Sequence, residues 1–213
     1  MNQTELTGDS FRNVRWDTLT STYGSFHATL IGLIVEWWVH LDKENSAFDE
    51  GPAATMNPNG KNSKRVDLLL CRNKVPYAVV EIEGSDWENK LSTFEQFFGQ
   101  QKDKYSFESI QVGIFILYPA SMQQGRPRKG LKVFDQIFMS LFQEKVAGLL
   151  KNKRLFVITV DESLYNYSKI RSPWDKLRQK NDYYSYDMSR VRLFAFNGDT
   201  RPEMEIVLWP PIA

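Results

Sequence analysis

Residues 65–84 read RVDLLLCRNKVPYAVVEIEG, and this stretch decides the fold. Two apolar runs of β type flank a polar connection, Arg72-Asn73-Lys74, which predicts a β-hairpin. Pro76 falls at the start of the second strand, where a missing N–H is tolerated. Three carboxylates, Asp67, Glu81 and Glu83, stand where a buried sheet would rather hold Val or Leu. Side chains alternate along a strand, so Asp67 shares a face with Leu69 and Cys71, and Glu81 and Glu83 share one with Val79. Roughly 7 Å separates Glu81 from Glu83 along the strand, and hairpin pairing lets the three converge. Unpaired carboxylates grouped in a half-buried site repel one another and resist ionising. A divalent cation is the simplest remedy, and an all-oxygen ligand set favours Mg2+ or Mn2+. A rival reading disperses the three into a surface ion-pair network with Arg65, Arg72 and Lys74.

Composition bounds what the rest of the chain can be. With 213 residues, 42% of them hydrophobic, it can bury one good core and reads as a single domain. A charged fraction of 25% is ordinary for a soluble globular protein. Cys71 is the sole cysteine, which excludes a disulfide framework and a thiolate zinc site and favours a reducing, cytoplasmic setting. The start, MNQTELTGDS, has neither the basic region nor the apolar core of a signal peptide. Residues 30–41 are apolar but short, and Glu36 and His40 interrupt them, so a buried helix is expected and no membrane span. The net charge of +1 conceals an asymmetry: residues 1–109 hold 11 Lys/Arg against 16 Asp/Glu, and residues 110–213 hold 16 against 10. An acidic half beside a basic half suits a polyanion bound across both, although scattered solvated charge has the same composition.

Outward from the hairpin, hydrophobic spacing predicts the remaining elements. Residues 20–41 form a helix with a broad apolar face that includes Phe26, Leu30, Ile34, Trp37 and Trp38, leaving Glu36 on its narrow polar side. A short strand is expected near Phe48. Residues 51–64 form a loop; its Gly60-Lys61 lacks the spacing and the following Ser/Thr of a phosphate-binding loop. After the hairpin, Ser85-Asp86-Trp87-Glu88 has the form of a capping box and opens a helix to about residue 105, with Leu91, Phe94 and Phe98 along its core stripe. Strands follow at 110–118 and 154–160 with a helix at 131–150 between them. An aromatic, basic stretch (165–186) and two further strands, 191–196 and 203–208, complete the chain. The result is a mixed α/β domain with helices flanking one central sheet. His27 and His40 both lie on the first helix without a neighbour that suggests a catalytic triad, and read as structural.

This element order, with Asp67 on one hairpin strand and Glu81-Ile82-Glu83-Gly84 on the next, resembles the PD-(D/E)xK nuclease superfamily over residues 20–118. The resemblance implies a restriction-endonuclease-like fold: an αβββαβ core over residues 20–160, with a C-terminal β-rich extension over 161–213 packing on it. It implies Mg2+ or Mn2+ held by Asp67, Glu81 and the Ile82 carbonyl. The sequence departs from the family pattern at two points. Val66 precedes Asp67 in place of Pro, and Glu83 occupies the position of the motif lysine, giving E-x-E. Glu83 could ligate a second metal or orient the attacking water, but it brings no positive charge. Lys90 is the candidate for that charge. It is the fifth helical residue after Ser85, about 8 Å along the axis, and similar nucleases with a lysine displaced onto this helix have been described. Glu36 corresponds to the acidic residue that members place on their first helix. Gln101 and Tyr105 have the spacing of a RecB-type Gln-Tyr motif, but Gln101 lies roughly 16 Å beyond Lys90 on a continuous helix.

The activity so implied is metal-dependent hydrolysis of phosphodiesters in nucleic acid, DNA rather than RNA, with Asp67, Glu81, Glu83, Lys90 and Glu36 as the catalytic set. Candidate phosphate contacts are Arg126, Arg128, Lys129 and Lys132 in a basic loop, and Lys169, Arg171, Lys176 and Arg178 further on. Tyr165, Tyr167, Trp174, Tyr183 and Tyr184 interleave with the second group. They suit base stacking or the core of a C-terminal lobe. A homodimer is compatible with this reading. The alternative is a nuclease-like domain without catalysis, serving nucleic-acid binding or assembly.

Overall fold

A two-residue turn sets the geometry of the central hairpin. Asn73 and Lys74 have φ of 48° and 66°, the left-handed pair that matches the right-handed twist of paired strands. Asn tolerates that region, whereas Lys74 meets strain of roughly 1–2 kcal/mol there. The turn joins β2 (Leu68–Arg72) to β3 (Val75–Glu83). Leu68 pairs with Val80 and Leu70 with Ala78, after which the register slips so that Cys71 meets Pro76. Pro76 has no N–H for the ladder, and the extra residue of the bulge, Tyr77, is accommodated beside it.

The computed structural model describes residues 5–21, 26–49, 66–83, 90–91, 93–94, 98, 109–118, 144–146, 153–160, 166–170, 183–187, 190–197 and 204–210. The hairpin lies within a seven-stranded mixed sheet. Its other strands are β1 (Asn45–Asp49), β4 (Val112–Leu117), β5 (Arg154–Val160), β8 (Val191–Asn197) and β9 (Met204–Trp209). The spatial order is β1-β2-β3-β4-β5-β8-β9. β3, β4 and β5 run parallel, and every other pairing in the sheet is antiparallel. Strands β6 (Asn166–Ile170) and β7 (Tyr183–Asp187) form a separate two-stranded ribbon.

Alternation sorts the sheet residues between two cores. Leu68, Leu70, Val80 and Ile82 face helix α1 (Phe26–Leu41) and the two N-terminal 3-10 helices, Gly8–Asn13 and Trp16–Ser21. Leu30, Ile34, Trp37, Trp38, Phe11 and Trp16 complete that layer. Each buried indole keeps a partner: Trp38 Nε1 donates to the Ser46 and Cys71 carbonyls at 3.0 and 3.2 Å, and Trp37 Nε1 to the Ser10 carbonyl at 2.9 Å. On the opposite face, Val66, Leu69, Val79, Phe115 and Val157 pack with Leu91, Phe94 and Phe98. Gly113 permits the closest approach in this layer, because a Cβ there would lie 2.9 Å from both the Phe94 ring and Leu155 Cδ1. The helical segment carrying Phe94 is thereby seated directly on β4.

The mixed α/β class stands, with three differences in detail. The first helix covers Phe26–Leu41, and residues 20 and 21, expected to open it, end a 3-10 helix instead. The aromatic, basic stretch contains β6 and β7, strands the hydrophobic spacing did not predict. Most of the C-terminal β-rich part does not merely pack on the core: β8 and β9 continue the sheet beyond β5. The reason is that β5, fully buried from Leu155 to Val160, would otherwise expose an unpaired edge. Among the described residues no helix is long and apolar enough to cross a membrane.

Candidate functional site

Where β2 begins and β3 ends, the ladder stops and side chains take over the backbone's hydrogen bonds. Leu68–Val80 is the last β2–β3 pair at this end. Odd-numbered residues of β3 turn towards β4: the Tyr77 carbonyl accepts from Gln111 N at 3.0 Å, and the Glu83 carbonyl from Tyr118 N at 3.1 Å. A period of two therefore turns the Ile82 backbone the other way. There its N–H has no strand to bond, and it donates to Asp67 Oδ2 at 2.6 Å. The Ile82 carbonyl faces the same side. Asp67 is thus fixed by the point at which the two strands part.

Lys90 and His27 approach this point from the two covering layers. Lys90 precedes Phe94 by one helical turn, so the close seating of Phe94 over Gly113 brings the Lys90 stem onto the sheet. Its Nζ donates to Glu81 Oε2 at 2.7 Å and lies 3.8 Å from Asp67 Oδ1. His27 heads the inward stripe of α1, three and seven residues before the buried Leu30 and Ile34. Its Nε2 lies 3.5 Å from Asp67 Oδ2. Glu81 is 0% exposed, whereas the Lys90 and His27 side chains are 28% and 35% exposed. Glu81 is deep and is reached from the rim by Lys90, while His27 reaches Asp67.

The electrostatics follow from that arrangement. Burial pushes the Glu81 carboxyl up; the Lys90 hydrogen bond opposes this, the Asp67 charge reinforces it, and the outcome is a pKa of about 8. Burial alone would also raise Asp67, but the bonds from His27 and the Ile82 N–H, with the Lys90 charge, hold it below its ordinary value. His27 is raised, mainly by its hydrogen bond to Asp67. Burial disfavours the Lys90 ammonium, yet its bond to Glu81 and the charges of Glu81 and Asp67 prevail and raise it. Burial and the Asp67 charge therefore favour the protonated form of Glu81, whereas Asp67 is held in its ionised form and Lys90 in its charged form.

The donor set can be tested against a small divalent cation. Among the described residues Glu81 Oε1 is buried with no hydrogen-bond partner, and Asp67 Oδ1 faces an ammonium. Both are hard oxygens, and a cation bound to them would satisfy the orphaned one. Among the described residues no three His, Cys, Asp or Glu side chains form a group able to hold a metal ion by themselves. Mg2+ makes no such demand, since one or two carboxylates with waters and substrate phosphate complete its shell. Two carboxyl groups and one buried, unbonded oxygen are the donor types such an ion takes, once Glu81 gives up its proton and Lys90 moves aside.

Asp67, Glu81, the Ile82 backbone and Lys90 come together. Glu83 follows one pleat further along β3, and its charge reaches both His27 and Lys90. Glu36 does not join them. It lies nine residues along α1 from His27, about 13 Å, with a half-exposed side chain 3.8 Å from Arg15 Nη1. Arg72 sits at the far end of β2 over the Tyr77 and Trp38 rings, 3.9 and 5.2 Å from their centroids. The network with Arg72 is thus not formed, and Asp67 and Glu81 share Lys90 instead. Arg65, Arg126, Arg128, Lys129, Lys132, Arg171, Lys176 and Arg178 lie outside the described residues. Lys169 lies on β6 opposite Tyr184. His27 is the residue that sequence reasoning missed as part of the site. Its signal was its place at the head of the apolar stripe, where a polar side chain reaches the sheet edge. His40, by contrast, bonds back to the Glu36 carbonyl at 2.7 Å.

No family model matches the chain, and no curated protein or solved structure matches it either.

Proposed function

We propose that the protein is a metal-dependent phosphodiesterase of the nuclease type, acting on DNA in preference to RNA, on a restriction-endonuclease-like core. The observation that carries this reading is that a single ammonium, Lys90 Nζ, reaches both Asp67 and Glu81. The pair of carboxylates required for a cation and the positive charge that Glu83 cannot supply are then one cluster. Asp67 Oδ1, Glu81 Oε1 and the Ile82 carbonyl would hold Mg2+ or Mn2+. When bound, the ion supplies an acidified water and screens charge developing on the phosphate. Asp67, kept ionised by His27 and the Ile82 N–H, is a ready ligand. Glu81 must release its proton to become the second. Lys90, freed from Glu81, places its charge beside the scissile phosphate. Glu83, on the same strand face and nearer the rim, is placed to accept a proton from water.

The test is cleavage of single-stranded, duplex and branched DNA and of RNA, with Mg2+ or Mn2+, by wild type, Glu81→Ala and Lys90→Ala. Cleavage that needs the metal and disappears in Glu81→Ala is expected. A wild type inert on every substrate with both metals would overturn the proposal. The non-catalytic alternative would then be favoured if nucleic acid still bound.

A further inference from the structure

We infer that His27 is a positioning residue of this site: together with the Ile82 amide it clamps Oδ2 of Asp67, so that Oδ1 is the oxygen turned towards Lys90 and Glu81. The inference rests on the reading of Asp67 and Glu81 as a cation-binding pair, and deepens it.

Geometry carries the argument. An aspartate carboxylate turns freely about its last bond, because that torsion is broad and two-fold. One donor to one oxygen biases that torsion, and a second donor to the same oxygen narrows it further. Asp67 Oδ2 has two nitrogens against it, the Ile82 amide hydrogen-bonded at 2.6 Å and His27 Nε2 at the ion-pair distance of 3.5 Å. They belong to different layers, the sheet and α1, so the carboxylate is held across the joint between them. Oδ1 has neither donor and faces Lys90 Nζ at 3.8 Å. A carboxylate accepts but does not donate, so the Nε2 position of His27 carries the proton in this contact. The contact lies at the rim, with the His27 side chain 35% and the Asp67 side chain 12% exposed. Its consequence is the orientation of the carboxylate. An outer partner of this sort typically changes metal affinity by about 10–100-fold when removed.

His27→Gln, His27→Asn and His27→Ala separate the possibilities. A glutamine amide nitrogen reaches about as far as Nε2, whereas asparagine is too short. The first readout is amide hydrogen exchange at Ile82, with Val80 as the internal control for the intact ladder. It requires no metal and no substrate. The second is Mn2+ binding by calorimetry. His27→Ala and His27→Asn should lower Ile82 protection about tenfold with Val80 unchanged, and weaken Mn2+ binding about 10–100-fold. His27→Gln should stay within about threefold of wild type in both. Unaltered Ile82 protection in His27→Ala overturns the clamp. Full loss of Mn2+ binding in His27→Gln as well as His27→Ala also overturns it, because it makes His27 a direct ligand. If wild type takes up no Mn2+, the cation reading fails, and Ile82 exchange alone still decides the role of His27.

Discussion

Replacing Glu81 by Gln should make the protein more stable near neutral pH, and the size of the gain can be worked from the site. The folded-state pKa of Glu81 stands at about 8 against an ordinary 4.5. Between those values the native state holds a proton that the unfolded chain has released. Stability therefore falls as pH rises across the interval, by about 1.4 kcal/mol per pH unit. At pH 7 the accumulated cost is about 3 kcal/mol, or roughly 6–12 °C in Tm for a chain of this length. Gln keeps the shape and an acceptor for Lys90 without the titration. Asp67 is held low and loses its stabilising effect only under acid conditions. His27 is raised and adds a decline of the same sign in both proteins, so the difference between the two isolates Glu81. Urea denaturation at pH 5.5 and 7.5 is the assay. Wild type should lose about 2–3 kcal/mol more than Glu81→Gln over that interval. Parallel losses would refute the reasoning, because they would mean that Lys90 fully neutralises an ionised Glu81. A gain in stability with loss of cleavage is the trade-off expected where an active site holds a strained charge.

Further outcomes follow from individual residues. Gly113→Ala places a methyl 2.9 Å from the Phe94 ring and Leu155; it should cost about 1–3 kcal/mol by thermal denaturation. The same change should lower cleavage below the melting range, since Lys90 rides on the displaced helical segment. Lys74→Gly relieves a left-handed φ of 66° and should stabilise by roughly 0.5–1 kcal/mol, with cleavage unaltered, because the turn is at the opposite end of the hairpin. Glu36→Ala removes only an exposed 3.8 Å contact with Arg15, so stability should change by less than about 0.5 kcal/mol and cleavage not at all. A loss of cleavage in Glu36→Ala would return that residue to the site.

The amino-acid order alone specified whatever depends on neighbours in the chain. Strict alternation placed Leu69 and Val79 on one face of the sheet and Leu70 and Val80 on the other, and Arg72-Asn73-Lys74 marked the connection, of which Asn73 and Lys74 form the turn while Arg72 closes β2. From these the carboxylate-bearing strands and the mixed α/β class were legible, and the resemblance to a nuclease pattern added Lys90 as a candidate. What required the tertiary structure depends on distances between residues far apart in sequence. Forty residues separate His27 from Asp67, and only the way α1 lies on the sheet joins them. Glu36 has the right chemistry but the wrong end of the same helix. The two C-terminal strands alternate like any others, and nothing local says that they would complete the sheet at β5. That grouped carboxylates would resist ionising was legible, but which of them would was not, since a carboxyl's charge is set by the dielectric and the charges around it, and those exist only once the two cores have closed over the strand.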